Sequence, residues 1–170
     1  MLPTLQVVAV LLGCSTFALG FAHALELPGK LRLDKESYCV VQTIYYPGFT
    51  FGGIGELLAI FAALGLLLAS TVGSAAFILT LIALVGLIAN HLADWLLTHP
   101  VNDFWLKNQD LSAMGGRFFK FGSLPRKRRG GPGGEERWLR FRDRWEFSHV
   151  LRAVCSAVSL IALITAVALK

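Results

Sequence analysis

Charge is scarce in this chain. Asp, Glu, Lys and Arg make up 16% of its 170 residues, against 55% hydrophobic residues, whereas a soluble domain carries about 25% charged residues. Mean hydropathy is +0.60. Cysteine is scarcer still. Cys14, Cys39 and Cys155 are odd in number and widely spaced, and no CxxC or CxxCH occurs. That excludes a disulfide framework, a zinc knuckle and a c-type haem, and leaves small buried hydrophobes as the reading. No GxGxxG, P-loop, flavin or haem motif is present, so nothing points to a bound nucleotide, flavin or haem. The opening "MLPTLQ" lacks Lys and Arg. "AHA" at residues 22–24 resembles a cleavage site, but the basic n-region of a secretory signal is missing, so the first apolar run is expected to be a retained helix.

What remains is apolar and bunched. Four runs, Thr4–Leu25, Gly53–Ser70, Ala75–Leu97 and Phe147–Leu169, each approach the roughly 20 residues that cross a bilayer. The expected fold is an all-α membrane protein, a single membrane domain over residues 1–170. Its four transmembrane helices form an antiparallel bundle, because "STVGS" leaves room only for a tight hairpin between the second and third. Lys30, Arg32 and Lys35 follow the first run, and eleven Lys and Arg between Lys107 and Arg144 follow the third. The N-terminal tail and the second turn have none. The positive-inside rule then places both basic loops in the cytoplasm and both termini outside, in what the loop charges and short chain suggest is a bacterial inner membrane.

The connections carry further signals. In "LDKESYCVVQTIYYPGF", Tyr38, Val41 and Tyr45 recur at helical spacing. This predicts a short interfacial helix between helices 1 and 2, anchored by Tyr45 and Tyr46. The segment over about 110–136 contains "GSLPRKRRGGPGG", a basic linker dense in Gly and Pro. Its plain reading is an orientation signal that attracts anionic lipid headgroups. The formal charge of +5 reflects this loop. No basic-aromatic module accompanies it, so nucleic acid is not an expected partner. After it, "EERWLRFRDRW" predicts an interfacial helix leading into helix 4.

The few ionisable residues near the apolar runs are paired. His23 and Glu26, His91 and Asp94, and Glu146 and His149 each stand three apart, and Glu56 opens the second run. Residues three apart share a helix face. An antiparallel bundle brings all of them, with Arg152, to one level at its cytoplasmic end. Three imidazoles and four carboxylates resemble the donor set of carboxylate-bridged di-metal bundles, although only Glu146–His149 has the Glu-x-x-His order. His23, Glu26, Glu56, His91, Asp94, Glu146 and His149 are therefore candidate ligands of a mono- or dinuclear site, and Fe, Cu, Zn and Mn all suit the donors. The competing reading is a structural polar layer of helix-end ion pairs, with Asp94 on Arg152 or Arg144. Buried ionisable residues in a membrane otherwise mark function.

"YYPGFTFGG", "WLLTHPVNDFWL" and "RDRWEFSHVLRAVCSAVSLIALI" fall in the order and spacing of the anthrone-oxygenase-like family. This is a small four-helix membrane family, and the resemblance covers most of the chain. Pro100 and Asn102 match its motif after the third helix, and Trp145, His149 and Arg152 match the start of its fourth. His99 stands where that motif has its first Asn, and His149 where Asn is common. The resemblance implies a membrane oxidoreductase that uses molecular oxygen. Arg152 and Asn102 would be catalytic, and Trp145, Tyr46 and Phe51 would wall a flat apolar or aromatic substrate entering from lipid. The alternative is a non-catalytic subunit of a homo-oligomer or larger membrane complex. A proton path is a third option, set back by the absence of charges at helix centres and of an evident repeat.

Overall fold

The computed structural model describes residues 2–45, 48–105 and 134–169. Those residues are mainly helical, with turns at 31–34 and 69–74, and include no strand. Helix α1 spans Leu2–Lys30 and α2 spans Lys35–Gln42, followed by a 3-10 turn, Thr43–Tyr45. Helix α3 is Gly48–Leu68 and α4 is Ala75–Ala93. A π-helical turn, Asp94–Thr98, leads into α5, His99–Trp105. Helix α6, Gly134–Ala168, closes the fold. Four helical stretches are long and apolar enough to cross a membrane: Leu2–Lys30, Phe51–Leu68, Ala75–Asn102 and Glu135–Ala168.

Local chemistry sets the ends. Asp34 caps α2 by accepting the Ser37 N–H at 2.8 Å, and Ser74 caps α4 by accepting the Phe77 N–H at 3.1 Å. Gly73, at φ +81°, supplies the left-handed residue that lets the chain reverse before Ser74. Pro100 cannot donate to the carbonyl four residues earlier, that of Leu96. Arg144 on α6 donates to that carbonyl instead, at 2.6 Å. The π turn and the charge on α6 thus meet at one freed backbone group.

The interior is built on two scales. Deep in the bundle, Ala9, Ala62, Leu66, Ala83, Ala162 and Leu163 form one buried cluster, and Ala59, Ala63, Leu84 and Leu87 another. Such small residues let helices approach closely where no hydrophobic effect drives them together. A Cβ on Gly20 would lie 3.3 Å from the Ala153 backbone, and one on Gly86 would collide with Ser159 Oγ. At the other end Tyr38, Tyr45, Trp105, Trp138 and Trp145 pack into an aromatic cluster with Val101. Large apolar side chains such as Leu11, Phe61, Val85 and Ile161 point outward, as a lipid-facing surface requires.

Three boundaries differ from those expected. Helix α1 does not stop at Leu25 but carries Pro28 and Lys30 within it, because its last turn has partners, described below. Helix α3 starts at Gly48 rather than Gly53. Helix α6 runs unbroken from Gly134, so the expected interfacial helix and helix 4 are one element. At 1.5 Å per residue its 35 residues reach about 50 Å, well beyond a hydrocarbon core of roughly 30 Å. The helix expected between helices 1 and 2 is α2. Tyr46 and the linker from residue 106 to residue 133 lie outside the described residues.

Candidate functional site

The structure divides the ionisable residues into two groups. The first gathers around the end of α1. Lys30 Nζ lies 2.8 Å from Glu26 Oε2 and 3.4 Å from His23 Nδ1, and His23 Nδ1 is 3.5 Å from the same carboxylate oxygen. Tyr45 donates its hydroxyl to Glu26 at 2.5 Å. The Lys30 ammonium also sits over the rings of Tyr45, at 4.6 Å, and Trp145, at 4.7 Å. A carboxylate and two aromatic faces replace the water a lysine needs, so Lys30 is only 3% exposed. The loop charge expected at Lys30 is therefore corrected: it belongs to the interior.

Helix α6 adds the other wall. His149 Nδ1 lies 2.8 Å from the Trp145 carbonyl, and its ring rests 3.8 Å from the Trp145 ring. The His23 and His149 rings meet edge to face at 4.2 Å. His23 also contacts Phe49 at 4.6 Å, Tyr45 at 4.4 Å and Trp145 at 5.1 Å. Trp145 donates its indole N–H to Asn102 Oδ1 at 3.1 Å, which helps fix the ring that both Lys30 and His149 contact. Glu146 turns away from His149 and accepts the Tyr38 hydroxyl at 2.6 Å, while its other oxygen is buried without a partner. Burial and the Glu146 carboxylate hold the Tyr38 phenol well above its ordinary range. Burial and the bond to Glu26 do the same for Tyr45. Both tyrosines therefore act as proton donors.

The second group joins α3, α4 and α6. Arg152 donates to Asp94 Oδ1 at 2.8 Å and forms a close ion pair with Glu56. His91 Nδ1 approaches Glu56 Oε2 at 3.6 Å, and His91 Nε2 accepts the Trp95 indole N–H at 2.9 Å. Beside this group, Thr98 and Ser148 hydroxyls meet at 2.7 Å. One guanidinium facing two carboxylates suits the planar, multi-donor arginine and no other side chain.

The expected single layer is thus two layers of ion pairing, touching through α6. His23, Glu26, Glu146, His149, Trp145 and Asn102 fall in or beside the first group; Glu56, His91, Asp94 and Arg152 form the second. Of the spaced pairs, His23 and Glu26 stay together, while Glu146 and His149 take separate partners. Among the described residues, no three His, Cys, Asp or Glu side chains converge as a metal ion requires. Phe51 is 58% exposed, and Phe49 takes the place expected of it. Two residues apart on a helix are about 200° apart around it, so both cannot face His23. Sequence reasoning missed Lys30, Tyr38, Phe49 and Trp95 as participants. The tyrosine spacing was a signal, but it was read as anchoring rather than as donation to carboxylates.

Fold and site together describe an all-helical chain of membrane-crossing type with buried imidazoles, carboxylates and cations at one end. No family model, curated protein or solved structure matches the chain.

Proposed function

We propose that this chain is a small integral membrane oxidoreductase of the oxygenase type, acting on an apolar aromatic substrate beside His23 and His149. The single observation that carries this is the contact of two buried imidazoles, 4.2 Å apart, inside a wall of Tyr45, Phe49 and Trp145. Imidazole is the usual side chain for moving a proton at neutral pH, and the ring wall favours a flat apolar partner. The four spans form an antiparallel bundle with this end in the cytoplasm, as the basic residues after α1 and α4 support. The chemistry is that of the family it resembles. A reduced polycyclic phenol loses both hydrogens of one methylene, dioxygen supplies the new carbonyl oxygen, and the second oxygen leaves as water.

A bridged pair of metal ions does not fit the residues. Glu26 is held by Lys30 and Tyr45, and Glu56 and Asp94 by Arg152, so protein groups already answer three of the four carboxylates, and Glu146 accepts from Tyr38. The test is oxygen uptake by purified protein given an anthrone, native against His149→Gln, with metal analysis of both. Uptake that depends on His149 supports the reading, and equal rates for the two proteins overturn it.

One observation favours the second reading, an accessory subunit. Every carboxylate of the two groups has a protein partner, as in a polar layer that serves only to hold helices together. Purification in mild detergent separates the readings. Constant co-purification with other chains and no turnover alone would mark a subunit.

A further inference from the structure

The three imidazoles of the polar layer are not equivalent, and their partners decide which nitrogen of each carries hydrogen. A neutral imidazole has one N–H and one lone pair. Lys30 is a donor only, and its ammonium makes the hydrogen bond to His23 Nδ1 at 3.4 Å. Glu26 Oε2 also lies 3.5 Å from His23 Nδ1, but that oxygen is already met by the Lys30 ammonium at 2.8 Å, and Lys30 is the nearer partner of the ring. His23 Nδ1 is therefore assigned the lone pair and Nε2 the hydrogen. An indole N–H is likewise a donor only. Trp95 donates to His91 Nε2 at 2.9 Å, so His91 carries its hydrogen on Nδ1, on the side of Glu56. His149 has the opposite kind of partner. The Trp145 carbonyl, 2.8 Å from Nδ1, is an acceptor only. The Ser148 hydroxyl at 3.3 Å can act either way. His149 therefore carries hydrogen on Nδ1 and keeps its lone pair on Nε2, which takes no hydrogen bond among the described residues.

We infer that His149 Nε2 is the one open imidazole base of the polar layer. Lys30 and Trp95 are positioning residues that occupy the basic nitrogens of His23 and His91. A site that removes a proton from a substrate benefits from a single base in a fixed tautomer, since a second free imidazole nearby would compete for the same proton. The chemical class that suits such a base, inside an aromatic wall and beside a His23 N–H donor, is a weakly acidic aromatic compound with a phenolic O–H or an activated C–H. This last step rests on the oxidoreductase reading, whereas the three tautomers do not.

The experiment is nitrogen-15 NMR of the full chain in detergent with labelled histidine, each ring assigned through a single His→Gln variant. Long-range correlation to the ring C–H protons shows which nitrogen is protonated. The expected result is His23 with hydrogen on Nε2, and His91 and His149 with hydrogen on Nδ1. Lys30→Met should move the His23 hydrogen to Nδ1, where Glu26 can accept it, and leave His149 unchanged. Lys30→Arg, which keeps a donor there, should preserve the native pattern. Trp95→Phe should release His91 from its single tautomer. A native His149 with hydrogen on Nε2, or a folded Lys30→Met protein with an unchanged His23, overturns the assignment. If Lys30→Met does not fold, the native spectrum alone decides. Native tautomers as expected in a protein that never consumes oxygen would sink the oxygenase reading and leave the tautomer assignment standing.

Discussion

Arg152→Met removes the cation that, among the described residues, lies against both Glu56 and Asp94. The Glu56 side chain is 5% exposed and that of Asp94 29%. Glu56 would then be left buried with only the His91 ring 3.6 Å away and without its guanidinium partner, while Asp94 retains some access to polar surroundings. Removing one partner of a buried ion pair costs about 3–5 kcal/mol, most of it the penalty of the charge left behind. For a chain of this length, each kcal/mol corresponds to roughly 2–4 °C in the unfolding midpoint. The expected loss in detergent is therefore roughly 6–20 °C. The cause, rather than the size, is the informative part. Adding Glu56→Gln and Asp94→Asn to Arg152→Met removes the stranded charges and should recover most of the loss. Arg152→Lys should recover only part, because a single ammonium cannot match the guanidinium fork. A loss near zero for Arg152→Met, or no recovery in the triple variant, would show that these charges are not buried together and refute the reasoning.

Other outcomes follow from the same contacts. Tyr38 and Tyr45 keep their protons in the folded state above the ordinary tyrosine range, so alkaline difference spectra should show at most one of the three tyrosines titrating near pH 10 until the protein unfolds. The sign of the stability effect follows: above that pH the unfolded chain loses protons that the folded one keeps. Stability should therefore fall by about 1.4 kcal/mol per pH unit for each buried phenol, and a flat chemical-denaturation profile from pH 9 to 11 would count against the tyrosine–carboxylate bonds. Gly86→Ala places a Cβ against Ser159 Oγ and 3.0 Å from the Cys155 carbonyl. Overpacking of this kind should destabilise by about 1–3 kcal/mol, with partial relief from Ser159→Ala in the same background, both read by thermal unfolding. Lys30→Met should be clearly destabilising and Lys30→Arg less so, whereas Arg32→Met, on an exposed turn, should be nearly silent in the same assay.

The four helices long and apolar enough to cross a membrane are legible because hydropathy and length are local properties. The helix-end residues are not. Lys30 reads as the first charge of a loop, and its burial depends on Tyr45 and Trp145, 15 and 115 positions away along the chain. A positive-inside count has no way to see such partners. The residue spacing predicts one layer holding His23, Glu26, Glu56, His91, Asp94, Glu146, His149 and Arg152. It did not reveal their division into two groups, because equal spacing on a helix says which face a side chain shares, not which neighbour wins it. Glu146 shows the point. Its spacing to His149 suggested a shared ligand pair, but the Tyr38 hydroxyl on α2 is its partner. Trp95 lies in an apolar run and opens the "WLLTHPVNDFWL" stretch, and neither signal shows that its indole N–H occupies His91.

Labelled dioxygen tests the proposed oxygen insertion at the His23–His149 pair most directly. Purified protein would be given an anthrone under heavy-isotope oxygen, and the product carbonyl and the released water examined by mass spectrometry. The expected result is one heavy atom in the new carbonyl and the other in water, with the yield lost in His149→Gln while that variant stays folded. Absence of product above the uncatalysed background, a carbonyl oxygen drawn from water, or equal yield from His149→Gln would contradict it.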